Sequence, residues 1–165
     1  MSEAQLQAYC YKWFRATYKH EVHYLWMNYN NPKNPAHGAV LVAMGLHSGV
    51  ADMTYLAQGN FPYFLEFKID RGKQTPSQQA WEKAIVARGG IYVTIRTFEQ
   101  FKAWIRIAQC HPGHRSLSLS RIFAEENRVD YRELAILHHH LWNGQNTDIP
   151  TETLSYFSQL NLQTA

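Results

Sequence analysis

The sequence predicts an α/β protein, with a mixed central sheet flanked by helices and a helical C-terminal extension. Three observations predict it. Segments with apolar residues three and four apart alternate with short apolar runs of strand length. Proline and glycine pairs punctuate the boundaries. Beyond His111-Pro112-Gly113 the alternation stops and only helical patterns follow.

Ser2 can cap a first helix, and Glu3 suits its positive end. Leu6, Tyr9, Cys10, Trp13, Phe14 and Tyr18 then follow at helical spacing, placing this helix at about residues 3–19. Val22, Tyr24 and Trp26 alternate as in a strand. Asn28 to Pro35 is rich in Asn and Pro and predicts a loop, with one short helix over Gly38 to Gly45. Ala51 to Ala57 and Tyr63 to Ile69 predict two strands joined by a turn at Gln58-Gly59-Asn60-Phe61-Pro62. After a turn at Arg71-Gly72-Lys73, Thr75-Pro76 opens a helix that Gly89-Gly90 ends. Ile91 to Ile95 is a short strand, and Thr97 caps a helix carrying Phe98, Phe101, Trp104, Ile105 and Ala108. In the last third, Asp130 with Glu133 forms a capping box for a helix reaching Asn143-Gly144, and Thr151 starts a final one. The division is residues 1–109 as one domain and 110–165 as an extension without a legible role.

At 165 residues and 45% hydrophobic content the chain can build a core, which excludes general disorder. A net charge of +3 permits a polyanionic partner without demanding one. Cys10 and Cys110 form no spaced set, excluding a disulfide framework or a zinc finger. The first residues lack the basic and apolar regions of a signal peptide, and no apolar run reaches the roughly 20 residues of a membrane span. The expectation is a soluble cytoplasmic protein.

The chemistry concentrates in Gly49-Val50-Ala51-Asp52 and Leu65-Glu66-Phe67-Lys68. Alternation along a strand puts Glu66 and Lys68 on one face and Leu65 and Phe67 on the other. In a hairpin, Asp52 approaches Glu66, so two carboxylates converge with one ammonium. That set suits phosphodiester hydrolysis. Oxygen ligands favour Mg²⁺ or Mn²⁺, and a neighbouring lysine stabilises charge building on phosphate. The competing reading is a same-face ion pair on an exposed strand. The apolar setting of Phe64-Leu65-Glu66-Phe67 weighs against it, because ionised groups there need a partner.

These blocks resemble a family. Gly45-Leu46-His47-Ser48-Gly49-Val50-Ala51-Asp52, Phe64-Leu65-Glu66-Phe67-Lys68, Thr75-Pro76-Ser77-Gln78-Gln79-Ala80-Trp81 and Gly89-Gly90-Ile91-Tyr92-Val93 look like the VRR-NUC (virus-type replication-repair nuclease) domain of the PD-(D/E)XK superfamily. The resemblance runs from about Glu3 to Trp104. It implies a restriction-endonuclease-like core. It implies that Asp52, Glu66, the Phe67 carbonyl and Glu3 surround the metal, with Lys68 as catalytic lysine and Gln78 facing the site. It also implies a phage or bacterial enzyme cutting structured DNA such as four-way junctions, as a homodimer. Ala51 replaces the proline of the superfamily's name, His47 stands where arginine is frequent, and Val42 where lysine is common.

The remaining candidates have plain alternatives. Glu3 also serves as a helix N-terminal acid, and Gln78 as a surface residue equivalent to Gln79. Lys33, His47, Arg71 and Lys73 are candidate DNA contacts, with Arg88 and Arg96 behind them; surface cations are mostly solvated. Cys110, His111 and His114 lack the second ligand pair of a structural zinc site. His138-His139-His140 point around a helix and cannot share one metal, so a solvated or partly buried face fits them better. Trp81 and Trp104 fit packing. The function expected is Mg²⁺- or Mn²⁺-dependent cleavage of DNA. Its rivals are a flap or single-strand nuclease, a catalytically silent DNA-binding module, and a partner-binding role for the C-terminal third.

Overall fold

The computed structural model describes residues 1–29, 32–57, 60–110 and 149–159, with residues 133, 136, 137, 139 and 140. The breaks at His111-Pro112-Gly113 and Asn143-Gly144, the Asp130 half of the capping box, His114, His138 and the Gln58-Gly59 part of the turn lie outside the described residues.

Helix α1 spans Glu3–Thr17. Its capping box is reciprocal: Ser2 Oγ accepts the Gln5 N–H at 3.2 Å, and Gln5 Oε1 accepts the Ser2 N–H at 2.8 Å. The predicted strand from Val22 begins later. Val22–Tyr24 is one 3₁₀ turn, closed by the Tyr24 N–H on the Glu21 carbonyl at 2.9 Å, and strand β1 is Leu25–Met27. Leu25 takes the core position, and Tyr24 and Trp26 stay about half exposed. An edge strand pairs on one side only, so few of its side chains need cover. Helix α2 spans Pro35–Ala43, starting three residues before the predicted Gly38. The Asn34 side chain accepts the His37 N–H at 2.8 Å, and Pro35 occupies the first turn, so the start signal lies inside the predicted loop.

Strands β2 (Met53–Ala57) and β3 (Phe61–Phe67) form the antiparallel hairpin, with Met53 opposite Leu65 and Ala57 opposite Phe61. Strand β4 (Ile91–Ile95) runs parallel to β3, with Phe67 opposite Ile95. The sheet order is β1-β2-β3-β4, a mixed sheet as expected. Between β3 and β4 the chain forms α3 (Pro76–Val86), with Thr75 and Gln78 as a second capping box. After β4 it forms α4 (Phe98–Cys110), whose Thr97 hydroxyl accepts the Gln100 N–H at 3.2 Å.

The two sheet faces differ. Leu65 and Phe67 point into a deep core with Leu6, Cys10 and Phe14 of α1 and Phe101, Trp104 and Ile105 of α4. Helix α3 covers the other face, where Trp81 packs edge-on against Phe64 at 4.9 Å and Tyr92 at 5.9 Å. Trp81 and Trp104 are thus packing residues. The final helix α5 (Thr151–Gln159) packs on α4, and Phe157 and Ile149 join the same core. Arg106 of α4 donates to the Phe157 and Ser158 carbonyls at the end of α5 and lies 5.8 Å from the Trp13 ring centre. Among the described residues no helix is long and apolar enough to cross a membrane.

Candidate active site

The carboxyl end of β3 meets the N-termini of α1 and α3. Glu66 is fully buried there, and Lys68 is 8% exposed. The Lys68 ammonium donates to Glu66 Oε1 at 2.6 Å and lies 3.9 Å from Glu3 Oε2. The Gln78 side-chain amide also donates to Glu66 Oε1, and the Tyr92 hydroxyl donates to Oε2 at 3.3 Å. Asp52, one residue before β2, accepts the Phe67 N–H on Oδ2 at 2.8 Å, which ties the second carboxylate to the strand carrying the first. The exposed-strand reading of Glu66-x-Lys68 fails, because α3 roofs the face on which Glu66 lies.

Local sequence fixes each position. Asn28, just past β1, donates its backbone N–H to the Asp52 carbonyl at 2.9 Å and its side-chain amide to the Ala51 carbonyl at 2.8 Å. The same amide reaches Thr54 Oγ1 at 3.0 Å. The β1–β2 ladder is thereby extended to the residue that carries the acid. Gln78 serves two groups: its Oε1 accepts the Thr75 N–H at 2.8 Å, which turns its amide nitrogen toward Glu66. A glutamate there would complete the same capping box but offer Glu66 no donor. Gly49 has φ +86°, and a Cβ on it would lie 2.3 Å from the Ser77 carbonyl oxygen and 2.7 Å from the Gln78 nitrogen. Only glycine lets the turn leading to Asp52 pass this close to the start of α3.

Burial pushes the Glu66 carboxyl up to about 6, and the Asp52 charge adds to the rise, although Lys68 and Tyr92 pull the other way. Folded Glu66 thus holds its proton more tightly than the unfolded chain does. Its contribution to stability is present below the ordinary value near 4.5 and is lost as pH rises through about 6. In chelator, the melting temperature of the wild type is expected to fall over that window relative to Glu66→Gln. A difference between the two that stays constant from pH 4.5 to 6 contradicts this account of the burial.

The other sequence candidates are distributed unevenly. Glu3 is half-exposed and sits beside Lys68, 3.9 Å from its ammonium. Among the described residues no three His, Cys, Asp or Glu side chains are gathered as a metal-binding set. Arg71 and Lys73 are exposed on the turn around Gly72, whose Cα faces Glu3 and Lys68. Arg96 donates to the Asp70 and Gly72 carbonyls, both at 3.0 Å, and so braces that turn from β4's end. Lys33 and His47 are exposed, and no described contact joins them to the carboxylates. Arg88 is exposed beyond α3. His139 is exposed and His140 half-buried, as a partly solvated helix face requires. Asn28 is the site residue that sequence reasoning passed over, and Gly49 and Tyr92 stood there only as members of quoted motifs, with no role of their own. Asn28 looked like loop composition, and Tyr92 was one more apolar strand residue.

A solved structure described as a VRR_NUC domain protein has a similar fold, with TM-score 0.53 and 18% identity, covering 66% of this chain and 88% of that one. At that identity the likeness is one of fold. No family model matches the chain, and no curated protein matches it.

Proposed function

We propose that this chain is a divalent-metal-dependent DNA nuclease centred on Asp52, Glu66 and Lys68. The observation that carries the proposal is the buried Glu66–Lys68 pair at 2.6 Å, with Asp52 fastened to the intervening Phe67. The likeness to a protein described as a VRR_NUC domain supports it.

Mg²⁺ or Mn²⁺ suits the donors present. Asp52, Glu66 and the Phe67 carbonyl offer oxygen, and a cation would offset the burial of the Glu66 charge, the main cause of its raised pKa, together with its smaller repulsion from Asp52. When bound, the ion supplies a more acidic water and neutralises charge on the phosphate. Asp52 and Glu66 hold it; the half-exposed Glu3 stands ready at the rim beside Lys68. Lys68 donates hydrogen bonds to the attacking water and the phosphate oxygens, stabilising the charge that grows on them. Gln78 keeps Glu66 in place. Water oxygen bonds to phosphorus, the bond from phosphorus to the 3′ oxygen breaks, and the leaving oxygen takes up a proton. The products are a 5′-phosphate and a 3′-hydroxyl. Arg71 and Lys73, on the turn next to Lys68, are placed to meet the backbone phosphates.

The substrate proposed is structured DNA, with a four-way junction as the leading form, in a phage or bacterial cell. A homodimer supplies two cuts to a symmetric substrate, and twofold symmetry is the commonest closed arrangement. A labelled panel of junction, flap, duplex and single strand in Mg²⁺ and Mn²⁺ tests this. Paired cuts in the junction are expected. Cleavage confined to flap or single strand replaces the junction reading, and binding without cleavage leaves a silent DNA-binding module.

A further inference from the structure

Glu66 has two oxygens in unequal surroundings. Oε1 accepts from Lys68 and from Gln78, which uses both of its acceptor positions. Oε2 accepts from Tyr92 at 3.3 Å. We infer that Tyr92 is a positioning residue that holds the Glu66 carboxylate so that Oε2 is the oxygen presented to the metal; this rests on the nuclease reading above.

A tyrosine hydroxyl has one proton and an ionised carboxylate only accepts, so the bond at Oε2 runs from Tyr92 to Glu66. Tyr92 is 1% exposed, so its ring is fixed by packing. Trp81 packs edge-on against the Tyr92 ring at 5.9 Å and limits its swing.

At Oε1 the Thr75 N–H occupies Gln78 Oε1 and turns the amide of Gln78 to Glu66. Each oxygen of Glu66 thus takes a hydrogen bond from a neutral donor. Partners in this outer shell alter metal affinity by about 10–100-fold when removed.

The test measures Mn²⁺ binding to the full chain by calorimetry, without DNA, in the wild type, Tyr92→Phe and Val93→Ala. Val93 is buried on the same strand but belongs to the core on the other face, so Val93→Ala reports a general loss of stability. Tyr92→Phe is expected to weaken Mn²⁺ binding about tenfold, and Val93→Ala not at all, although it melts lowest. Wild-type affinity in Tyr92→Phe, or an equal loss in Val93→Ala, overturns the positioning role and leaves the nuclease reading standing. A wild type that takes up no Mn²⁺ overturns both.

Discussion

Glu66→Gln is expected to keep the fold and lose DNA cleavage by roughly a thousandfold or more. The amide fills the same space, and its oxygen still accepts from Lys68 and Gln78. What it lacks is the negative charge that holds a cation at the end of β3. Glu66→Ala is expected to behave differently. It removes the partner of Lys68 in a place where only 8% of that residue meets solvent. Breaking a buried ion pair from one side costs about 3–5 kcal/mol, so this variant loses stability as well as turnover. Single-turnover cleavage alongside thermal melts separates the two. If Glu66→Gln cuts DNA at the wild-type rate, the carboxylate has no part in the chemistry.

The second large effect is expected at a residue with no functional group. Gly49→Ala places a methyl 2.3 Å from the Ser77 carbonyl oxygen at a backbone angle that L residues avoid. Strain of this kind costs about 1–3 kcal/mol, and the contact forces the turn and the start of α3 apart as well. A loss of about 3 kcal/mol corresponds to a melting temperature lower by roughly 6–12 °C for a chain of this size. Cleavage is expected to drop further than stability does, because the displaced residues are Gln78 and the approach to Asp52. Gly45 supplies the control. Its φ is +101°, but a Cβ there meets nothing within 4 Å. Gly45→Ala thus carries the strain without the collision, and its cleavage per folded molecule should match the wild type. Equal losses in the two variants would mean that close approach to α3 is unimportant to the site.

Much of this was legible in the sequence because it is local. The β2–β3 hairpin follows from apolar runs around a turn, and Thr75-Pro76 announces α3 in two residues. Alternation alone puts Glu66 and Lys68 on one face. Local rules failed where two signals overlapped. Asn34-Pro35 reads equally as loop composition and as a helix start, and α2 used it as the latter. Val22-His23-Tyr24 alternates like a strand, but the Glu21 carbonyl closes it into a turn first.

What the sequence hid depends on pairing between distant segments. Asn28 acquires its role only when β1 lies beside the residues around Asp52, and Tyr92 only when β4 lies parallel to β3. Gly49 is indistinguishable from a turn glycine until α3 folds back over it. The burial of Glu66 was legible in part, from its apolar neighbours Phe64, Leu65 and Phe67. The element that covers it was not, and that cover turns an ordinary Glu-x-Lys pair into a desolvated one.

The most direct test is phosphodiester cleavage of labelled DNA by the wild type and Lys68→Ala in Mg²⁺, in Mn²⁺ and in chelator. Cutting by the wild type in either metal, abolished by chelator and by Lys68→Ala while that variant still folds, is the predicted result. Cleavage that persists in chelator, or that Lys68→Ala performs as well as the wild type, contradicts the account.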